Sequence, residues 1–246
     1  MNIIGIIPSR YASTRFPAKS LAIIKGKSMI QRVYEQAQQS SALNDVLIAT
    51  DHQEIFDHVK KFGGAVCMTK ADHVSGTDRC YEALTLQRKK YDYIINIQGD
   101  EPFIQPAQID LLSGRLDGQT EIATLVKPVE TTEQLFNPNV VKAVLNQNME
   151  ALYFSRSAIP HIRNAPQEEW MNKHKFYKHI GMYAYRADVL HRLTKLSVSS
   201  LEKAESLEQL RWLENGFKIM VAETLTETIG IDTPEDLQKA IQHLKS

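Results

Sequence analysis

Strands and helices alternate through the first half of this chain, and that alternation leaves few folds open. Short apolar runs at Ile3–Ile7, Val46–Thr50, Ala65–Met68, Tyr93–Gln98 and Ile122–Lys127 have the length and residue types of buried strands. Between them, Ser28–Ser40, Gln53–Phe62, Gly76–Lys89 and Pro106–Leu116 read as helices. In the first of these, Met29, Ile30, Val33 and Ala37 fall on one helical face. Strands joined through right-handed helical crossovers make an α/β fold, a mostly parallel sheet covered by helices.

The middle departs from this rhythm. Val140–Leu145, Ala151–Ser155 and Lys178–Tyr185 read as strands, with Asn146-Gln147-Asn148 as a hairpin turn. Residues 156–177 carry Pro160 and Pro166 and read as a long loop or an insertion. The tail predicts helices at Leu201–Asn215 and Pro234–Leu244, with a strand at Lys218–Glu223 between them.

Bulk properties narrow the function classes. A chain of 246 residues with 43% apolar and 24% charged residues is ordinary for a soluble globular enzyme. Lys plus Arg equals Asp plus Glu at 29 each, so nothing favours general binding to nucleic acid or membrane. Any cationic site must be local. Cys67 and Cys80 form no CxxC, so buried free thiols are expected rather than a zinc cage. There is no HExxH motif and no long apolar run. With strand sequence starting directly after Met1, a cytoplasmic protein is the expectation.

The first strand runs into Ser9-Arg10-Tyr11-Ala12-Ser13-Thr14-Arg15-Phe16-Pro17-Ala18-Lys19. Three cations and several hydroxyls thus follow a buried strand, at the edge where open α/β sheets bind ligands. The loop suits a polyphosphate, and it equally suits a solvated basic loop. Known phosphate loops do not account for it. Gly26-Lys27-Ser28 lacks the P-loop's first glycine, because Leu21 stands there, and no GxGxxG follows a strand.

Acids also follow strands. Asp100, in Gln98-Gly99-Asp100-Glu101-Pro102, can hold a hard divalent cation or cap a turn. Asp232-Thr233-Pro234 opens a helix, so Asp232 or Thr233 is a cap, and a cap is compatible with a metal ligand. Asp72-His73-Val74-Ser75-Gly76-Thr77-Asp78-Arg79 opens another helix and offers hydroxyls and N–H groups to an anion or a base edge, or simply an N-cap. Thr50-Asp51-His52 ends the second strand in the same style. Arg156, His179, Tyr185, Glu208 and Gln209 are polar residues within apolar elements. An arginine there can grip a carboxylate bidentately, whereas a satisfied core histidine and a solvated helix face explain the others equally well.

Seven stretches in order, RYASTRFPAK (10–19), SGTDR (75–79), NIQGDEP (96–102), ALYFSR (151–156), KHIGMYAYR (178–186), LEQLR (207–211) and IDTPEDL (231–237), closely resemble the bacterial 3-deoxy-manno-octulosonate (KDO) cytidylyltransferases, the CMP-KDO synthetases. The resemblance runs from about residue 2 to 244. It implies a three-layer α/β/α sandwich with a smaller sugar-binding and dimerisation excursion. The nucleotide-binding part would span about 1–130 and 217–246, and the sugar and dimer part about 131–216. It implies a homodimer that makes CMP-KDO and pyrophosphate from CTP and KDO for lipopolysaccharide biosynthesis. Arg10, Ser13, Arg15 and Lys19 would line the triphosphate, and Thr50, Asp51, His73, Ser75, Gly76 and Gln98 the cytosine and ribose. Asp100 and Asp232 would hold Mg²⁺, acting in catalysis with Lys19 and Arg15. Arg156, His179, Tyr185, Glu208 and Gln209 would form the sugar site.

The chain departs from the family pattern at three positions. Ala18 stands where glycine is usual, and Ser20 and Ser28 stand where proline is usual. If position 18 needs a positive φ, alanine there costs about 1 kcal/mol or more. The departures at Ala18 and Ser20 are the only support for a second class of function, a nucleotide-binding module that has lost catalysis. Among enzymes, the competing substrate is a KDO relative such as the 8-amino sugar or another ulosonic acid.

Overall fold

The computed structural model describes residues 1–12, 16–227 and 230–243. Its Cα packing separates two units, Met1–Ser113 with the described residues from 230 onward, and Gly114–Glu227. Residues 114–130 and 217–227, which the resemblance places with the nucleotide-binding part, fall in the second unit, where Ile219–Glu223 pairs with Ile122–Pro128 and that strand pairs with Tyr177–Arg186.

In the first unit, β1 (Ile3–Ser9), a short hairpin of β2 (Ile23–Ile24) and β3 (Lys27–Ser28), α1 (Met29–Ala37), β4 (Asp45–Thr50), α2 (Gln53–Lys61), β5 (Val66–Met68), α3 (Gly76–Thr85), β6 (Tyr93–Asn96) and α4 (Pro106–Ser113) follow in order. The sheet order is β6-β1-β4-β5, all parallel. β1 is apolar on both faces, and Ile4, Ile6 and Ile7 are buried, as a strand covered by helices on both sides requires. Serines cap two of the helices. Ser28 Oγ accepts from Gln31 N at 3.2 Å and Ser75 Oγ from Asp78 N at 3.1 Å.

In the second unit, β7 (Ile122–Pro128), α5 (Thr132–Phe136), β8 (Lys142–Leu145), β9 (Ala151–Ser155), α6 (Trp170–Lys173), β10 (Tyr177–Arg186), α7 (Ala187–Leu193), α8 (Ser200–Glu205), α9 (Glu208–Glu214) and β11 (Ile219–Glu223) follow. β11 and β7 are parallel, whereas β7–β10, β10–β8 and β8–β9 are antiparallel. The predicted turn at 146–148 forms, with Asn146 Oδ1 accepting from the N–H groups of Asn148 and Glu150 at 2.9 Å each. The register of β10 shifts between Ile180 and Tyr183. Thr124 Oγ1 fills the irregularity by donating to Met182 O at 2.8 Å.

Three sequence expectations change here. The single helix expected at 201–215 is two, because Ser206 turns left-handed at φ 52°. The long loop 156–177 contains α6, fixed where Trp170 packs with Val129, Leu135 and Phe176. Of the two free thiols, Cys80 is buried as expected, but Cys67 is only half-buried.

Ala18 adopts φ 55°, ψ 24°, the left-handed conformation that glycine tolerates best. Ala18→Gly should therefore stabilise the protein by about 1 kcal/mol despite the added freedom of its unfolded chain. Urea unfolding measures this, and a loss of stability would show that the strain is relieved elsewhere.

Candidate active site

The carboxyl ends of β1, β4 and β6 lie at one edge, since the strands are parallel and Ser9 pairs with Thr50 and Ile6 with Asn96. Ligands of open α/β sheets bind at such an edge. A glycine is needed there, because a Cβ on Gly99 would lie 2.9 Å from the carbonyl oxygen of Pro8. That close approach lets the β6 loop lie against the end of β1 and brings Asp100 to the site.

Asp232 arrives from the other end of the chain. Ile231 N donates to Asp100 O at 2.9 Å, and Ile231 is buried with Ile24, Met29 and Ala240. The helix cap at this point is Thr233, not Asp232. Thr233 Oγ1 accepts from Asp236 N at 3.2 Å, while Asp236 Oδ2 accepts from Thr233 N at 3.0 Å. Asp232 is thereby left to face Lys19, whose Nζ lies 3.0 Å from Asp232 Oδ1 and 2.7 Å from Asp100 Oδ2. Burial alone would lower the Lys19 pKa, but the two carboxylates outweigh it and hold the ammonium above its usual value.

A cavity of about 460 Å³ opens over this cluster, lined entirely by the first unit. Of the residues expected at the nucleotide, Arg10, Lys19, His73, Ser75, Gly76, Gln98, Asp100 and Asp232 line it. Ser13 and Arg15 lie outside the described residues. Thr50 and Asp51 do not line it. Thr50 is fully buried, its Oγ1 accepting from His52 N at 3.3 Å. Asp51 accepts from Arg79 Nη2 at 2.8 Å and from Tyr11 N at 3.4 Å. Both thus support the edge from behind.

Arg79 is the residue that sequence reasoning missed. It is buried, lines the cavity, and is held by Asp51 and by Thr69 Oγ1 at 2.6 Å. The signal was the final residue of SGTDR, a cation one turn inside a helix that starts at the site. His73 is oriented by Glu82, which contacts its Nε2. Among the described residues, no group of three or more His, Cys, Asp and Glu could hold a metal, so Asp100 and Asp232 stand as a pair.

The residues expected at the sugar lie in the second unit, and only some of them meet. His179 Nε2 lies 2.9 Å from Thr124 Oγ1, and its ring packs against Phe154 and Tyr183. Tyr183 stacks with Tyr185, and both meet the edge of Trp212. Burial raises the Tyr183 pKa well above the usual value, and the charge of Glu208 adds to the effect. Gln209 is buried on the same short helix as Glu208. Arg156 is engaged otherwise. Its guanidinium donates to the carbonyls of Glu205 at 2.7 Å, Pro138 at 3.1 Å and Ser206 at 3.4 Å, bracing the break between α8 and α9.

A sequence profile described as cytidylyltransferase matches residues 4–220. The chain therefore belongs to the cytidylyltransferase family. The 3-deoxy-manno-octulosonate cytidylyltransferase of Parabacteroides distasonis is 59% identical to it, over 99% of this chain and 98% of that one. The enzyme of the same name from Bacteroides thetaiotaomicron is 58% identical over 100% and 99%. The solved structure of CMP:2-keto-3-deoxy-manno-octonic acid synthetase complexed with CTP superposes with a TM-score of 0.92. It shares 41% identity, covering 100% of this chain and 99% of that one. The α/β fold expected from sequence is thus the fold found.

Two measurements follow from the second unit. Burial lowers the His179 pKa to about 3, so the imidazole is neutral in the fold. An unfolded histidine takes up a proton near pH 6.5. Stability should fall as pH drops below about 6.5 toward 3, by at most about 1.4 kcal/mol per pH unit from this group. Urea unfolding at stepped pH should give a flatter profile for His179→Gln, and an unchanged slope would remove His179 as the source. Arg156→Ala should cost about 1 kcal/mol, mainly through the partly buried bond to Glu205 O, since water can reach the carbonyls of Pro138 and Ser206, and a loss below about 0.3 kcal/mol would show that the bracing is incidental.

Proposed function

We propose that this protein transfers CMP from CTP to the anomeric hydroxyl of KDO, releases pyrophosphate, and so activates KDO for lipopolysaccharide assembly. The observation that carries the reading is the meeting of Lys19, Asp100 and Asp232 in a polar cavity at the strand ends of a cytidylyltransferase-family chain. Relatives named for this reaction at 58% and 59% identity over nearly full length support the choice of substrates.

In the reaction a bond forms from the anomeric oxygen to the α-phosphorus. The bond from that phosphorus to the departing pyrophosphate breaks, and the hydroxyl proton is lost. Both substrates are anionic, so the site must offset charge. Arg10 and Lys19 line the cavity as cations for the triphosphate, with Arg15 and Ser13 assigned to the same loop by family resemblance. Arg79, fixed by Asp51, adds a buried positive charge to the wall. Ser75 and Gly76, at the start of α3, and Gln98 are assigned to the cytosine and ribose.

Mg²⁺ is the proposed cofactor. The donor set fits it, since the ion is commonly held by one or two carboxylates plus phosphate oxygens and water rather than by an all-protein cage. Asp100 and Asp232 are the carboxylates that would hold it, and when bound it supplies charge neutralisation at the phosphate and a lower pKa for the attacking hydroxyl. His179, Tyr185, Glu208 and Gln209 are assigned to the sugar, and Arg156 to its carboxylate if the bracing contacts yield to the substrate. A homodimer and a cytoplasmic location complete the proposal. The first rests on the family resemblance, and the second on the solubility of both substrates. Among the described residues, no helix is long and apolar enough to cross a membrane.

Pyrophosphate release from CTP and Mg²⁺, with and without KDO, tests the reading. Release that requires KDO is the expected result, and absence of KDO-dependent release overturns the assignment. Asp100→Ala and Asp232→Ala should each lower turnover at least about 10²-fold with the fold intact, the loss typical of a single charge-stabilising group. Turnover close to wild type in either variant would remove that carboxylate from the mechanism.

A further inference from the structure

The acid pair of the cavity already shares a cation that belongs to the chain. Lys19 Nζ donates to Asp100 Oδ2 at 2.7 Å, to Asp232 Oδ1 at 3.0 Å and to Ile231 O at 3.3 Å. An ammonium has three N–H donors, and this set occupies all of them. Its side chain is only 18% exposed, so the contact is partly shielded from solvent. A divalent ion seated on the same two carboxylates would meet the ammonium at contact distance, and two like charges disfavour one another there. Either cation can satisfy the pair, but both together cannot do so well.

The backbone under Lys19 is held in place. Lys19 opens a short 3₁₀ turn, with Leu21 N donating to Ala18 O at 2.9 Å and Ala22 N to Lys19 O at 3.0 Å. Movement of the charge is therefore a matter of side-chain rotation. Phosphate oxygens are the natural acceptors for an ammonium released from carboxylates.

We propose that Lys19 is an internal competitor for the cation site made by Asp100 and Asp232, displaced when a triphosphate takes over its hydrogen bonds. This rests on the reading of the two carboxylates as the Mg²⁺ ligands. Metal alone then binds weakly, metal and nucleotide bind with positive coupling, and the coupling passes through one side chain. The exchange keeps a positive charge on the carboxylates and on the phosphates at each stage, so neither acid pair nor triphosphate is left uncompensated.

Mn²⁺ titrated onto the nucleotide-free protein and followed by electron paramagnetic resonance tests this. Lys19→Met should bind Mn²⁺ about tenfold or more tightly than wild type, because the competing charge is gone. Lys19→Arg, which keeps that charge, should stay near wild type. Lys19→Met/Asp100→Asn should lose the gain. Lys19→Met affinity equal to or below that of wild type overturns the proposal, as does a gain that persists in the double variant. Melting curves by circular dichroism establish that each variant is folded. If Lys19→Met does not fold, Lys19→Gln carries the same expectation. Failure of the transferase reading appears separately, as absent KDO-dependent pyrophosphate release from wild type.

Discussion

Parallel pairing of β1 with β4 on one side and β6 on the other is the constraint on which the site depends. The register sets Ser9 level with Thr50, and Asn96 level with Ile6. All three strands end at one edge, so the loops that follow them share a small volume without any further device. Close packing also closes the space between loops. The lack of a side chain on Gly99 allows the β6 loop to pass over Pro8, and a Cβ on Gly5 would lie 2.8 Å from Leu43.

A second tie completes the cluster. Asp100 and Asp232 are far apart in the chain, and among the described residues no strand joins them. One backbone hydrogen bond, Ile231 N to Asp100 O, and a small apolar cluster around Ile231 hold the two segments together. Burying an isoleucine side chain contributes about 1.5–3 kcal/mol. The last helix, Pro234–His243, then serves the site indirectly, since Leu237, Ala240 and Ile241 pack into that same cluster. Two carboxylates brought this close repel each other, and the Lys19 ammonium between them is what makes the arrangement stable.

Strand positions were the most legible part of the fold, because buried parallel strands such as Ile3–Ser9 and Asp45–Thr50 are nearly continuous apolar runs. Helix starts were legible from Ser28 and Ser75, both of which cap. The break at Ser206 was not, since nothing local forbids a helix from Leu201 to Asn215. It is braced from a distant segment, because the Arg156 guanidinium takes the carbonyls of Glu205 and Ser206. The same kind of non-local pairing explains the candidate site. Residues at strand ends, such as Asp100, could be placed by pattern alone, whereas the turning of Asp51 toward Arg79 depends on a partner 28 residues away. Short motifs show which residues can do chemistry, and only packing shows which are occupied as supports.

The three departures from the family pattern bear on whether this is an active enzyme, and each has a local physical account. Ser20 is buried and accepts a hydrogen bond from Ser9 Oγ at 2.8 Å, so its hydroxyl is satisfied and tethers the loop to the end of β1. Ser28 caps α1 and lies 2.7 Å from His58 Nε2. Burial lowers the His58 pKa, with Lys61 adding to the effect, so a neutral ring meets that hydroxyl. Ala18 alone carries strain, and the strain sits in the backbone one residue before Lys19. That strained turn still delivers the Lys19 ammonium to both carboxylates. The departures thus leave Lys19, Asp100 and Asp232 assembled, with the hydroxyls of Ser20 and Ser28 engaged in hydrogen bonds, as the proposed transfer requires.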